Sequence, residues 1–342
     1  TALVVNAIPQ VAAITGTTEV CAGSTTALAN ATASGVWTSS NTAVATVNAT
    51  GVVSGVAAGS TTITYTVTTN GCTANAQAVV NVNALPTLAA IGGTMNACIG
   101  SSTILTNTTS GGVWTSSAPS TATVNSITGA VTGVAAGSAT ITYTYTNSNG
   151  CTSAVTAAVT INALPVVDVI TGTTSVCEGA TTALASTTTG GVWSTANTAT
   201  ATIDASGVVS GVAAGTTTMT YTVTNANGCV STQTATVTVN AIPVVASISG
   251  TTEVCDGSTT ALASATAGGV WSTSDNTIAS VDANGVVTGE AAGTATITYT
   301  VTTNGCTSSA QAVVNVNALP TLAAIGGTMN ACIGSSTILT NT

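Results

Sequence analysis

The side chains in this 342-residue sequence that could do chemistry are nine cysteines and nine carboxylates, since Lys, Arg and His are absent. Cys21, Cys98, Cys177, Cys255 and Cys332 recur every 77 to 79 residues, and each of the first four is followed by a second cysteine 51 to 53 residues on: Cys72, Cys151, Cys229 and Cys306. Thiols spaced in this way form disulfides or bind metal. With no His and no Cys-x-x-Cys, metal ligation lacks its usual donor set, so no metal or cofactor is expected. Ser and Thr abound, but without His or Lys no base can activate them as nucleophiles. Two carboxylates can hydrolyse a glycoside. Asp275 and Asp282 flank the strand after Trp271, yet the matching positions of the first repeat are Asn41 and Asn48. These acids read as solvated loop residues, too few and scattered for a calcium site. The sequence assigns no catalytic residue, and the chain is expected not to be an enzyme.

The missing cations exclude further classes. Phosphate contacts need Lys or Arg, so nucleic acid is not an expected partner. Electrostatic attraction to anionic membranes is removed as well. No run of 18 apolar residues occurs, so no membrane insertion is expected in this segment. The acids are unevenly spread: residues 86–164 carry none, whereas 243–319 carry Glu253, Asp256, Asp275, Asp282 and Glu290. Neutral surfaces of Thr, Ser, Asn and Ala have little to keep copies apart. Asn30, Asn48 and Asn107 fit the N-glycosylation sequon.

The cysteines sit in a repeat of about 78 residues that also carries one Trp per unit, 16 residues after the first Cys: Trp37, Trp114, Trp193 and Trp271. A fixed period of this length is a tandem array. The expected units are 9–85, 86–164, 165–242 and 243–319. Residues 1–8 resemble the strand that closes a preceding unit, and 320–342 the start of a fifth, as in a window on a longer array. Ala76–Thr108 is identical to Ala310–Thr342, three units apart.

Within the first unit, short runs rich in Thr and Val alternate polar and apolar residues and are separated by Gly-containing turns. These are VAAIT after Pro9, then STTALANA, GVWTSS, AVATVN, a Gly51–Gly59 segment and STTITYTVT. Asn70-Gly71 supplies a hairpin turn, and the last strand runs from Cys72 to Val82. β-Branched residues suit strands, and nothing reads as helix. Seven or so such strands predict an all-β, immunoglobulin-like sandwich per unit. The core then rests on Trp37, Trp114, Trp193 and Trp271 with Tyr65, Tyr143, Tyr221 and Tyr299, because Phe is absent. Asn-Ala-Leu/Ile-Pro joins each unit to the next without a flexible linker.

The stretch WTSSNTAVATVNATGVVSGVAAGSTTITY, Trp37 to Tyr65, resembles the bacterial immunoglobulin-like group 2 domain, and its pattern recurs at Trp114–Tyr143, Trp193–Tyr221 and Trp271–Tyr299. The opening V-C-x-G-x-T-T-x-L is similar to long repeat proteins of Bacteroidetes, including gliding-type adhesins exported by type IX secretion. The resemblance implies an extracellular or cell-surface location and a structural or adhesive role, with no catalytic residues. Antibody-type domains place a disulfide across the core between the second and sixth strands. Here the first Cys precedes the second strand and the second opens the last. The expectation is one disulfide within each unit, Cys21–Cys72, Cys98–Cys151, Cys177–Cys229 and Cys255–Cys306, each clamping one end of its sandwich. Closing a loop of that size stabilises by roughly 4 kcal/mol on chain-entropy reasoning.

The leading expectation is a stiff extracellular stalk or filament of such domains, with copies of itself as partners through lateral packing. In the rival reading the repeats are an adhesin that grips glycans or a surface directly. That reading requires an exposed aromatic or acidic patch in every unit, and the sequence shows none.

Overall fold

The computed structural model describes residues 3–327 and 330–340. Residues 1 and 2 of the expected closing strand, and 328, 329, 341 and 342 of the expected fifth unit, lie outside the described residues. All regular structure among the described residues is β.

The first domain has eight strands: β1 (Thr15–Gly16), β2 (Glu19–Cys21), β3 (Thr25–Ala29), β4 (Val36–Ser39), β5 (Ala45–Val47), β6 (Val52–Gly55), β7 (Gly59–Thr69) and β8 (Cys72–Asn83). They form two four-stranded sheets, β1-β3-β6-β5 and β2-β8-β7-β4. All pairings are antiparallel except β2 with β8, which run parallel, Glu19 opposite Asn81 and Cys21 opposite Asn83. The same eight strands recur from Gly92–Gly93 to Thr152–Asn162, from Thr171–Gly172 to Val230–Asn240, and from Ser249–Gly250 to Cys306–Asn317.

Strict alternation builds each core. Along β7, Thr61, Ile63, Tyr65 and Val67 point inward and are buried, and Val80 and Val82 of β8 join them. Facing them across the sandwich are Leu28, Ala45 and Val53. Thr61 keeps its hydroxyl satisfied inside the core by accepting the Asn41 amide at 3.0 Å and contacting the Ser39 and Ser40 hydroxyls. Asn70 and Gly71 both take positive φ, 51° and 84°, the geometry of the tight hairpin turn that Asn-Gly favours.

Two expected strands are shorter or missing. Only Thr15–Gly16 of the first run pairs; just upstream, Ala12 is held by side chains instead, its amide donating to Thr32 Oγ1 at 3.0 Å and its carbonyl accepting from Asn30 Nδ2. Residues 3–8 form no strand.

The chain forms two compact units. The first holds residues up to Pro165 together with Asn225–Cys229, and the second holds Val166–Thr224 and Val230 onward.

Candidate functional site: the cysteine joints

The aromatic pair of each domain is a cross-strand neighbour pair. Trp37 lies opposite Tyr65 in register, with ring centroids 4.7 Å apart. Trp114–Tyr143, Trp193–Tyr221 and Trp271–Tyr299 repeat this at 4.5 to 4.6 Å. The four tyrosines are buried. Among the tryptophans only Trp114 is fully so, and the other three are half-buried. The loop after Asn125 has one residue more than its counterpart after Asn48, and its Ser126 carbonyl accepts the Trp114 amide. Each tyrosine hydroxyl ties a loop to the core. Tyr65 donates to Thr32 O at 2.7 Å and accepts from Gly35 N at 2.8 Å. A Cβ on Gly35 would sit 2.3 Å from the Tyr65 ring, so only glycine fits there. The four tyrosine rings are taken up by packing in the core.

Three of the acids cap turns. Asp282 Oδ1 accepts the amides of Asn284 and Val286 at 2.9 and 2.8 Å, and Asp204 does the same for Ser206 and Val208. Asn48 fills this place in the first domain, accepting from Thr50 and Val52. Asp275 accepts from Thr277 through both its amide and its hydroxyl. Hydrogen bonds to the charged form, first of all from the Ser206 hydroxyl on Asp204, the Thr277 hydroxyl on Asp275 and the Val286 amide on Asp282, hold these carboxyls below the ordinary range. Glu19 is lowered likewise by the Asn81 and Asn83 amides across the parallel pair, and Asp168 by the Thr187 and Thr188 hydroxyls. Among the described residues no group of three or more Cys, Asp or Glu could hold a metal ion.

The cysteines overturn the expected pairing. Cys21 bonds Cys151, Cys98 bonds Cys229, and Cys177 bonds Cys306, each with Cα atoms 5.6 Å apart. The first cysteine of one domain is therefore joined to the second cysteine of the next. Cys72, Cys255 and Cys332 carry free thiols. The parallel strand pair explains why the expected Cys21–Cys72, Cys98–Cys151, Cys177–Cys229 and Cys255–Cys306 bonds do not form. Cys21 lies beside Asn83 at the far end of β8, whereas Cys72 opens that strand beside Thr69. Eleven residues of strand separate them, about 37 Å, and a disulfide tolerates less than about 7 Å between Cα atoms. The first cysteine marks the exit of its domain and the second marks the entrance.

Each joint is shaped around the entrance turn. Asn147 Oδ1 accepts the amides of Asn149 and Cys151, fixing the turn that presents Cys151, while its Nδ2 donates to Ala84 O of the preceding linker at 3.1 Å. Asn225 repeats this with Asn227, Cys229 and Ala163 O. The Sγ atoms of Cys151, Cys229 and Cys306 lie 3.8 to 3.9 Å from the carbonyls of Asn83, Asn162 and Asn240. On the exit side Gly55 lets the Cys21 carbonyl approach; a Cβ would meet it at 2.8 Å. Cys72 stands in a matching place: its thiol donates to Asn6 O at 3.6 Å, and Asn6 Nδ2 donates to Asn70 O. The interval from the first cysteine to the second cysteine of the next unit is as constant, 129 to 131 residues, as the interval within a unit, so spacing alone does not choose between the two pairings.

The family described as bacterial Ig-like domain (group 2) matches residues 9–79, 101–156 and 237–314, more than half of the chain. No curated protein matches it. Among solved structures the chain is similar to a Ca2+-stabilised adhesin of an Antarctic bacterium, at 15% identity and TM-score 0.30 over 90% of this chain and 100% of that one. It is similar to Drosophila N-cadherin EC1-4 at 11% identity and TM-score 0.22, over 87% and 98%. Domains 1-6 of the surface layer protein SbsC match at 18% identity and TM-score 0.22, over 90% of this chain and 49% of that one.

Proposed function

Because the chain belongs to the bacterial Ig-like domain (group 2) family, we propose that it is a structural segment of an extracellular or cell-surface protein, a stalk or filament that performs no catalysis itself. The bonding of each domain to its successor carries this reading. A disulfide inside a domain serves that domain's stability, whereas one between domains serves the array. Disulfides persist in oxidising compartments, which supports placement outside the cytoplasm. The opening V-C-x-G-x-T-T-x-L supports a relationship to exported Bacteroidetes repeat proteins. The nearly uncharged surface, most of all the acid-free second domain, supports lateral association between copies.

Electron microscopy of native, unreduced protein tests the proposal. Extended single files or regular bundles of domains are the expected result. Collapsed, irregular particles would overturn it, and so would saturable binding of a defined glycan by single domains, which would favour the adhesin reading.

A further inference from the structure

We infer that the three disulfides turn the array into a two-path covalent cable in which most of the chain lies outside the line of tension. Each inner domain has two covalent inputs and two covalent outputs. In the second domain the inputs are the linker at Pro86 and the bond at Cys151; the outputs are the bond at Cys98 and the linker at Pro165. One path runs Pro86 to Cys98, the other Cys151 to Pro165, and the two lie side by side as a parallel strand pair, Ala97 opposite Ile161. The third domain repeats this with Pro165 to Cys177 and Cys229 to Pro243, Val176 opposite Val239. The intervening strands, which hold the Trp–Tyr pair and most of the core, hang between the two paths.

The shortest covalent route from Pro9 to Pro320 is Pro9–Cys21, Cys151–Cys177 and Cys306–Pro320. It has 52 residue steps where the backbone has 311. At about 3.5 Å per residue this limits full extension to about 180 Å, against about 1,100 Å for the open chain. Unfolding a domain therefore releases almost no length. This follows from connectivity and holds whatever the array carries, so it stands or falls separately from the stalk reading.

The connectivity also ranks the bonds unequally. Cys98–Cys229 is not on the shortest route, so losing it leaves the route unchanged. Losing Cys21–Cys151 diverts the route through Cys98–Cys229 and lengthens it by about 100 residues, about 350 Å.

Single-molecule pulling of the 342-residue chain, tethered through its two ends, tests the inference. The oxidised chain should show no unfolding step longer than a few tens of ångströms. The same molecules in reductant should give steps of about 240 Å per domain. Cys98→Ser/Cys229→Ser should extend like the parent, and Cys21→Ser/Cys151→Ser should extend about 350 Å further. Domain-sized steps in the oxidised parent would overturn the inference, as would equal lengthening in both variants. The reductant arm uses the parent sequence, so it decides the matter even if a variant fails to fold.

Discussion

Cys21 ends its strand opposite Asn83, eleven residues down β8 from Cys72, so the two cysteines of one domain mark its opposite ends. The parallel β2–β8 pair causes this, and every joint depends on it. The partner of Cys21 is Cys151, 130 residues away. In the native, unreduced protein a thiol reagent should label Cys72, Cys255 and Cys332 and spare Cys151, Cys229 and Cys306. Disulfide-linked peptides should join sequences 129 to 131 residues apart. Recovery of a Cys98–Cys151 peptide would refute the arrangement.

The repeat and the strands were legible because they are local: alternation within a run decides which face is buried. The pairing was not legible, because it depends on which end of the last strand the short β2 lies against. Nothing in Glu19-Val20-Cys21 itself specifies a parallel neighbour 62 residues on. The duplicated segment shows the same limit. In the second domain it forms strands Asn96–Cys98 and Ser102–Thr106 and buries Leu105 to 1% exposure, whereas among the described residues its copy near residue 340 shows the Gly326–Thr340 bridge and leaves Leu339 51% exposed. In the second domain Leu105 is buried because Ile141, Val159 and Ile161 of the facing sheet pack with it in one core. The turn-capping role of Asp204 and Asp282 was hidden for a related reason, since Asn48 does the same work uncharged.

The tyrosine hydroxyl should be worth more than its size suggests. Tyr65→Phe removes one donor and one acceptor from Gly35 N and Thr32 O; an unmet amide in a part-buried site costs about 1–3 kcal/mol. Gly35→Ala forces a methyl to within 2.3 Å of the ring and should cost a similar amount through overpacking. Hydrogen exchange resolved by peptide should place both losses in the first domain and leave the third, with its own Tyr221–Gly191 bond, unchanged.

Acid should act unevenly along the chain. The carboxyls of Glu19, Asp168, Asp204, Asp275 and Asp282 are lowered from 4.5 for the glutamate and 3.8 for the aspartates. A depressed folded-state value means stability that is full above the unfolded value and lost as pH falls through the folded one. Protection against exchange should therefore decline below about pH 4 in the first, third and fourth domains. The second domain, which has no acid, should stay flat. A matching decline there would show that carboxylates are not the cause.

Asn147 tests whether the entrance turn holds its joint. Asn147→Ala deletes the bonds to Asn149 N, Cys151 N and Ala84 O but leaves every cysteine in place. Losing such bonds costs about 1–3 kcal/mol locally, which exposes Cys21–Cys151 by opening the turn. Under limiting reductant that bond should be reduced several-fold faster than in the parent, while Cys177–Cys306, whose turn is Asn304-Gly305, keeps its rate. Equal rates for the two proteins would mean that the linker alone sets the joint.

Overlap of the three loops gives a last prediction, on proteolysis. Every peptide bond between Cys21 and Cys306 lies inside at least one closed loop, and those from Cys98 to Cys151 and from Cys177 to Cys229 lie inside two. A single cut anywhere in that span leaves one covalent molecule. Trypsin has no site in the chain, so chymotrypsin at low dose is the suitable probe. Unreduced gels should keep singly nicked material at full size, and reduced gels should show pairs of fragments. A cut after Leu322, outside all loops, should release its C-terminal piece without reductant, which provides the internal control. Separation of the two pieces by a single cut between Cys21 and Cys306 in unreduced protein would show that the loops do not overlap, and the cable would fail with them.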